Sequence, residues 1–227
     1  MARIEGVAAC LFDAYGTLFD FASAAARCED VPADRRAALT DLWRDRQLQY
    51  SWLRTLQRRY VDFESVTGDA LDFALETFGL AEPSRRARLM DLYLTLDAYP
   101  DAASTLRRLR AAGLRTAILS NGSPAMLASA VAHSGLGDLL DMTVSVDEVG
   151  AFKTDPATYA RALARLGIEA QRTLFVSSNG WDAYAGSDFG MKVAWCNRRG
   201  QPPERLPGRP DAVIASLADV PALLGLA

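Results

Sequence analysis

Val7-Ala8-Ala9-Cys10-Leu11-Phe12-Asp13-Ala14-Tyr15-Gly16-Thr17 is a short, wholly apolar run that ends abruptly in a carboxylate and a Gly-Thr turn. A run with no polar alternation reads as a strand buried on both faces, as in a parallel sheet covered by helices. In open α/β sheets, ligands lie beyond the carboxyl ends of the strands. Asp13 is therefore either a simple turn former or a group placed for chemistry.

Five further runs have the same character: Thr116–Leu119, Thr143–Val146, Leu174–Val176, Val193–Cys196 and Ala212–Ile214. Helical patterns separate most of them. Asp101–Ala112 stops at Gly113, and Pro124–Ser134 stops at Gly135. Asp155–Leu166 opens Asp-Pro and stops at Gly167. Strands alternating with helices of this length predict an α/β fold, a doubly wound parallel sheet. From Phe19 to Ala98 the alternation is absent, and the helical patterns Arg35–Tyr60, Thr67–Phe78 and Ser84–Leu96 fill the gap. Residues 1–18 and 99–227 are thus expected to form the core. Residues 19–98 are expected to form a helical cap inserted after the first strand, over the strand ends.

Composition narrows the chemistry. The 227 residues carry a formal charge of −3 and are half hydrophobic, enough for a sizeable core. The acidic balance argues against nucleic acid and anionic membranes as partners. No apolar stretch approaches a membrane span of roughly 20 residues, and the first one is broken by Asp13 before it could serve as a signal. Cys10, Cys28 and Cys196 are odd in number and widely spaced, the usage of a reducing cytoplasm. His133 is the single histidine, and Lys153 and Lys192 are the only lysines. Histidine-rich metal sites are excluded, no metal or cofactor is expected, and the chemistry falls to carboxylates.

Four strand ends carry polar groups: Asp13 with Thr17; Ser120-Asn121-Gly122; Lys153; and Ser177-Ser178-Asn179-Gly180-Trp181-Asp182. Singly each is an ordinary turn, cap or surface charge. Together, at one edge of one sheet, they are better read as a site. The set resembles the haloacid dehalogenase superfamily. Within it, FDAYGTLFD, WRDRQLQYSWLR (residues 43–54), ILSNG and FVSSNGWD resemble the L-2-haloacid dehalogenases over essentially the whole chain. Phosphatases of that superfamily carry a second Asp two residues after the first, as acid on the leaving oxygen, and further acids that hold Mg²⁺. Here Tyr15, Ser178 and Asn179 stand at those places. Halide leaves as a stable anion and needs neither group, so metal-free displacement at carbon is the better reading.

The resemblance implies that Asp13 attacks the halogen-bearing carbon of a small 2-haloalkanoic acid with inversion at that carbon, forming an ester that water then hydrolyses. Lys153 would be the counter-ion of Asp13. Asp182 would orient Lys153 and, with Ser177 and Asn179 as hydrogen-bonded neighbours, help activate the water. Thr17 and Tyr159 would support Asp13 and Lys153. Arg44, Asn121 and the edge of Trp181 would bind the halide. Ser120 and backbone N–H groups near Ala14 and Tyr15 would hold the substrate carboxylate, and Tyr15, Leu48, Phe63 and Trp181 would wall the alkyl pocket. Asp45, an acid where the subgroup has a neutral amide, would weaken the pull of Arg44 on an anion. A homodimer through the Leu- and Tyr-rich cap helices is also implied. The alternatives are a Mg²⁺-dependent phosphatase of the same fold and a non-enzymatic binding module.

Overall fold

The computed structural model describes residues 3–226. Six parallel strands form one sheet: β1 (Ala9–Phe12), β2 (Arg115–Ser120), β3 (Met142–Ser145), β4 (Thr173–Ser177), β5 (Lys192–Cys196) and β6 (Ala212–Ile214), in the order β3-β2-β1-β4-β5-β6. Phe12 lies opposite Ile118 on one side and Val176 on the other. β1 is thus central, and every one of its residues is buried, as its unbroken apolar run requires. The strand order reverses between β1 and β4. The crevice at such a reversal is where doubly wound folds bind ligands, and Asp13 stands on it.

Between β1 and the rest of the sheet lie four inserted helices, α1 (Ala22–Arg27), α2 (Ala33–Leu56), α3 (Phe63–Thr77) and α4 (Pro83–Leu94). The core helices are α5 (Ala102–Ala111), α6 (Pro124–Ser134), α7 (Pro156–Leu166), α8 (Gly180–Asp188) and α9 (Val220–Leu223).

Inside the insertion, caps move the boundaries away from those set by periodicity. α2 ends before Tyr60 because Arg58 adopts φ of +56°, which a helix cannot accommodate. α3 begins earlier than Thr67 because the Asp62 carboxylate accepts from the Ser65 N–H. Glu82 does the same for α4, with Pro83 in the first turn. The two stems of the insertion also pair, Phe19 with Ala98, in an isolated antiparallel bridge.

Among the contacts that fasten the insertion to the core are two hydrogen bonds and a ring pair near the β3 end. Tyr60 donates its hydroxyl to Asp147, the Phe152 N–H donates to Thr55 Oγ1 at 3.0 Å, and the Phe63 ring lies 5.9 Å from that of Phe152. His133 is remote from the strand ends and faces Asp97 at 3.6 Å. The three cysteines are free and buried. Among the described residues, no helix is long and apolar enough to cross a membrane.

Candidate active site

Asp13 follows β1 directly, and its carboxylate is almost wholly buried. Its two oxygens are held differently. Oδ2 accepts from Thr17 Oγ1 at 3.0 Å and from Asn179 Nδ2 at 2.8 Å. Among the described residues, Oδ1 accepts only from Lys153 Nζ, at 3.0 Å. Thr17 is fixed in turn, since its hydroxyl oxygen accepts the Ser178 N–H at 2.8 Å.

Lys153, 1% exposed, spans two carboxylates: its Nζ also lies 2.9 Å from Asp182 Oδ2. Burial alone would push the Lys153 ammonium down, but Asp13 and Asp182 together outweigh it and hold the group above its ordinary value. Asp182, on the first turn of α8, is fully buried. Burial pushes its carboxyl up and Lys153 only partly offsets this. Its Oδ1 accepts from Tyr159 OH at 2.7 Å. Burial, reinforced by Asp182, keeps the Tyr159 hydroxyl neutral far into the alkaline range.

Asn179 is the N-cap of α8, yet its side chain makes no cap bond. The amide is diverted to the site instead: Nδ2 serves Asp13 and the Tyr15 carbonyl, while Oδ1 accepts from Arg44 at 3.3 Å. Forgoing a cap costs about 1 kcal/mol, which marks Asn179 as a residue placed for something other than helix stability. Ser177 takes over the local turn, accepting the Asn179 N–H at 3.2 Å.

At the β2 end, the Asn121 carbonyl oxygen accepts the Lys153 N–H at 2.9 Å, which turns its Nδ2 donor away from that backbone. Ser120 is fully buried, and its hydroxyl oxygen accepts the Gly122 N–H at 3.0 Å. Gly122 is required here. A Cβ would lie 2.9 Å from both the ring and the hydroxyl of Tyr15.

The inserted helices supply the roof. The Tyr15 ring packs on Tyr93 at 5.3 Å and Phe63 at 6.0 Å. Arg44 donates to Gln47 Oε1 at 2.6 Å and to Asn179 Oδ1, both neutral amide oxygens, so neither bond cancels its charge. Arg44, Leu48, Trp52, Asn179 and Trp181 line a cleft of about 330 Å³ between the insertion and the sheet. Trp52 and Trp181 meet edge-on at 5.5 Å there. Both indole N–H groups are buried without a hydrogen-bond partner among the described residues, an arrangement suited to an anion.

Most residues singled out in the sequence converge, but some of the expected partnerships do not occur. The Ser177 and Asn179 side chains do not bond to the Asp182 carboxylate, and Asn179 meets that residue through its backbone carbonyl, which accepts the Asp182 N–H at 3.1 Å. The Asp182 carboxylate faces Lys153 and Tyr159, while the Asn179 amide, at the cap of the same helix, faces Asp13. Tyr159 supports Asp182 rather than Lys153. Asp45 is exposed in the outer cleft, and the group that touches Arg44 is Gln47. Gln47, Trp52, Thr67 and Tyr93 are members of the site region that the sequence reading passed over. Gln47 and Trp52 signal only a helical spacing from Arg44 on α2, which a packed core shares, and Thr67 and Tyr93, on α3 and α4, carry no spacing from it at all.

The Mg²⁺ site of the phosphatase branch needs acidic donors beside Asp13. Tyr15 is packed as a ring, and the Asp182 carboxylate is already paired with the Lys153 ammonium and accepts from Tyr159. Among the described residues, no group of three or more His, Cys, Asp and Glu is placed to hold a metal ion. The donor set does not fit a divalent cation, and no step below runs through one.

Comparison with known proteins agrees with this geometry. Residues 7–190 match the family of haloacid dehalogenase-like hydrolases. The chain is 42% identical to an (S)-2-haloacid dehalogenase of Pseudomonas fluorescens, over 97% of this chain and 96% of the relative. It is 46% identical to (S)-2-haloacid dehalogenase 4A of Burkholderia cepacia, over 88% and 87%. The structure superposes with a TM-score of 0.90, at 40% identity over 96% and 98%, on the L-2-haloacid dehalogenase of Xanthobacter autotrophicus with chloropropionic acid covalently bound. The chain belongs to the haloacid dehalogenase superfamily of hydrolases and, within it, to the (S)-2-haloacid dehalogenase subgroup.

Proposed function

We propose that this chain hydrolyses short-chain L-2-haloacids to D-2-hydroxyacids through an ester on Asp13, without a metal. The carrying observation is the unequal occupancy of the Asp13 carboxylate. Each carboxylate oxygen has two in-plane lone pairs. Oδ2 uses both on Thr17 and Asn179, whereas Oδ1 uses one on Lys153. Oδ1 therefore keeps a lone pair to attack carbon, and Lys153 stands beside it as a buried counter-ion.

Attack from behind the carbon–halogen bond forms the aspartyl ester, expels halide and inverts the substrate carbon. Water then attacks the ester carbonyl of Asp13, so the hydroxyl oxygen of the product comes from the protein. Asp182, its carboxyl pushed upward by burial, orients Lys153 and helps activate that water, whose proton passes on to the departing alkoxide as the Asp13 carboxylate is restored. Arg44, Asn121 and Trp181 stabilise the departing halide as its charge develops. The Trp181 N–H, buried and unpartnered, supports that assignment. Ser120 and the backbone near Ala14 and Tyr15 take the substrate carboxylate, while Tyr15, Leu48, Phe63 and Trp181 wall the alkyl group. Residues 19–98 act as the cap that closes the site.

Single turnover in ¹⁸O-water with excess enzyme tests the ester. Label should enter Asp13 and be missing from the hydroxyacid; label appearing first in the product would refute it. We further propose a homodimer through α2, on which Leu53 and Leu56 are 51% and 80% exposed. Light scattering on the native protein and on Leu56→Asp checks this, the variant being expected to run as a monomer.

A further inference from the structure

We propose that Gln47 is a positioning residue that sets the direction of the Arg44 guanidinium and thereby the affinity of the site for halide. This rests on the assignment of Arg44 to the halide, made above. Gln47 lies one turn beyond Arg44 on α2, and its side chain is 1% exposed. Its amide faces three groups: Arg44 Nη1 at 2.6 Å, Thr67 Oγ1 at 2.7 Å and Tyr93 OH at 3.2 Å.

The chemistry of those groups leaves the amide one orientation. A guanidinium can only donate, so the atom facing Arg44 is the carbonyl oxygen. Thr67 already donates its hydroxyl to the Phe63 carbonyl at 2.6 Å, so its oxygen must accept, and Nε2 faces it. Tyr93 OH takes the second Nε2 proton. The amide therefore cannot flip, and Nη1 of Arg44 has one short, fixed acceptor. Asn179 Oδ1 fixes Nη2. A long flexible cation becomes a preorganised donor, and because both acceptors are neutral its charge remains available to an anion. A carboxylate at position 47 would still accept from Arg44 but would cancel its charge, and it lacks the donor that Thr67 and Tyr93 accept.

Two variants and one anion test this. Bromide inhibition of L-2-chloropropionate turnover is measured for the wild type, Gln47→Met and Gln47→Glu, with KM, kcat and thermal unfolding recorded for each. Gln47→Met should weaken bromide inhibition about tenfold and lower kcat about tenfold, with KM within about twofold. Gln47→Glu should weaken bromide further, and its unfolding temperature should fall because the two bonds donated by Nε2 are lost. Wild-type bromide inhibition in either folded variant overturns the inference. If the wild type releases no chloride, the dehalogenase reading itself fails. Bromide binding to the three proteins, followed by tryptophan fluorescence, then tests Gln47 alone, with the same order of affinities expected and equal affinities refuting it.

Discussion

Lys153 Nζ lies 3.0 Å from Asp13 Oδ1, across a sequence separation of 140 residues, in a site where both side chains are almost fully buried. The same ammonium reaches Asp182 at 2.9 Å, so one cation holds the ends of three chain segments together. Removing it would leave two buried carboxylates facing each other. Lys153→Met is expected to abolish chloride release and to lower stability by about 3–5 kcal/mol, read from urea unfolding midpoints.

Asp13→Ala removes the attacking oxygen but leaves Lys153 paired with Asp182. Chloride release should fall by about 10⁴-fold or more, with no covalent adduct by mass spectrometry. Retained turnover would remove Asp13 from its assigned place.

Asn179→Ala deletes one of the two donors to Asp13 Oδ2 and the acceptor for Arg44 together. Turnover is expected to drop about 100-fold. The helix it caps should survive, because the side chain makes no cap bond to lose. Circular dichroism and kcat measured on the same preparation separate the two effects.

Alkaline stability follows in part from Lys153 and Tyr159, whose folded values lie above their ordinary ones of 10.5 and 10.0, alongside the buried Tyr15 and Tyr93 hydroxyls and the Cys10 thiol, which are raised as well. Below about pH 9 Lys153 and Tyr159 are protonated in either state, and their contribution is fully present. As pH rises toward the elevated folded values, the unfolded chain releases protons that the folded one keeps, so stability falls. The urea midpoint should decline from pH 9.5 upward (~9.5–11.5), and Tyr159→Phe should flatten that decline while costing about 1.5–3 kcal/mol at neutral pH.

Gly122→Ala would press a methyl group against the Tyr15 ring at 2.9 Å and Leu127 at 3.3 Å. The β2 turn cannot retreat, because its Ser145 partner donates to the Gly122 carbonyl at 2.7 Å. A loss of about 1–3 kcal/mol is expected from such overpacking, together with a raised KM as Tyr15 is displaced.

The parallel sheet could be read from the sequence because β1 and β4 are apolar on both faces and end in polar turns, a pattern with few other solutions. Asp13, Lys153 and Asp182 were legible for a related reason, since each stands at or just past a strand end. What escaped was partnership. Whether Asn179 caps its helix or serves Asp13 depends on a carboxylate 166 residues away, and no local pattern carries that. Gln47 escaped because a buried amide one turn from Arg44 has the spacing of any core position. The helix ends in the insertion shifted because single residues, Arg58 with its left-handed backbone and the capping Asp62, override a periodicity that runs through them.

The scarcity of lysine has a practical side. Lys192, beside the backbone carbonyl of Glu5 at the far end of the sheet, and Lys153, 1% exposed, are the only side-chain amines in the chain. An amine-directed acylating reagent therefore meets Lys192 on the folded protein, and Lys153 only when the strand ends come apart. Mass-spectrometric acylation at residue 153, with Lys192 as internal reference, is a built-in clock for how often the active site opens.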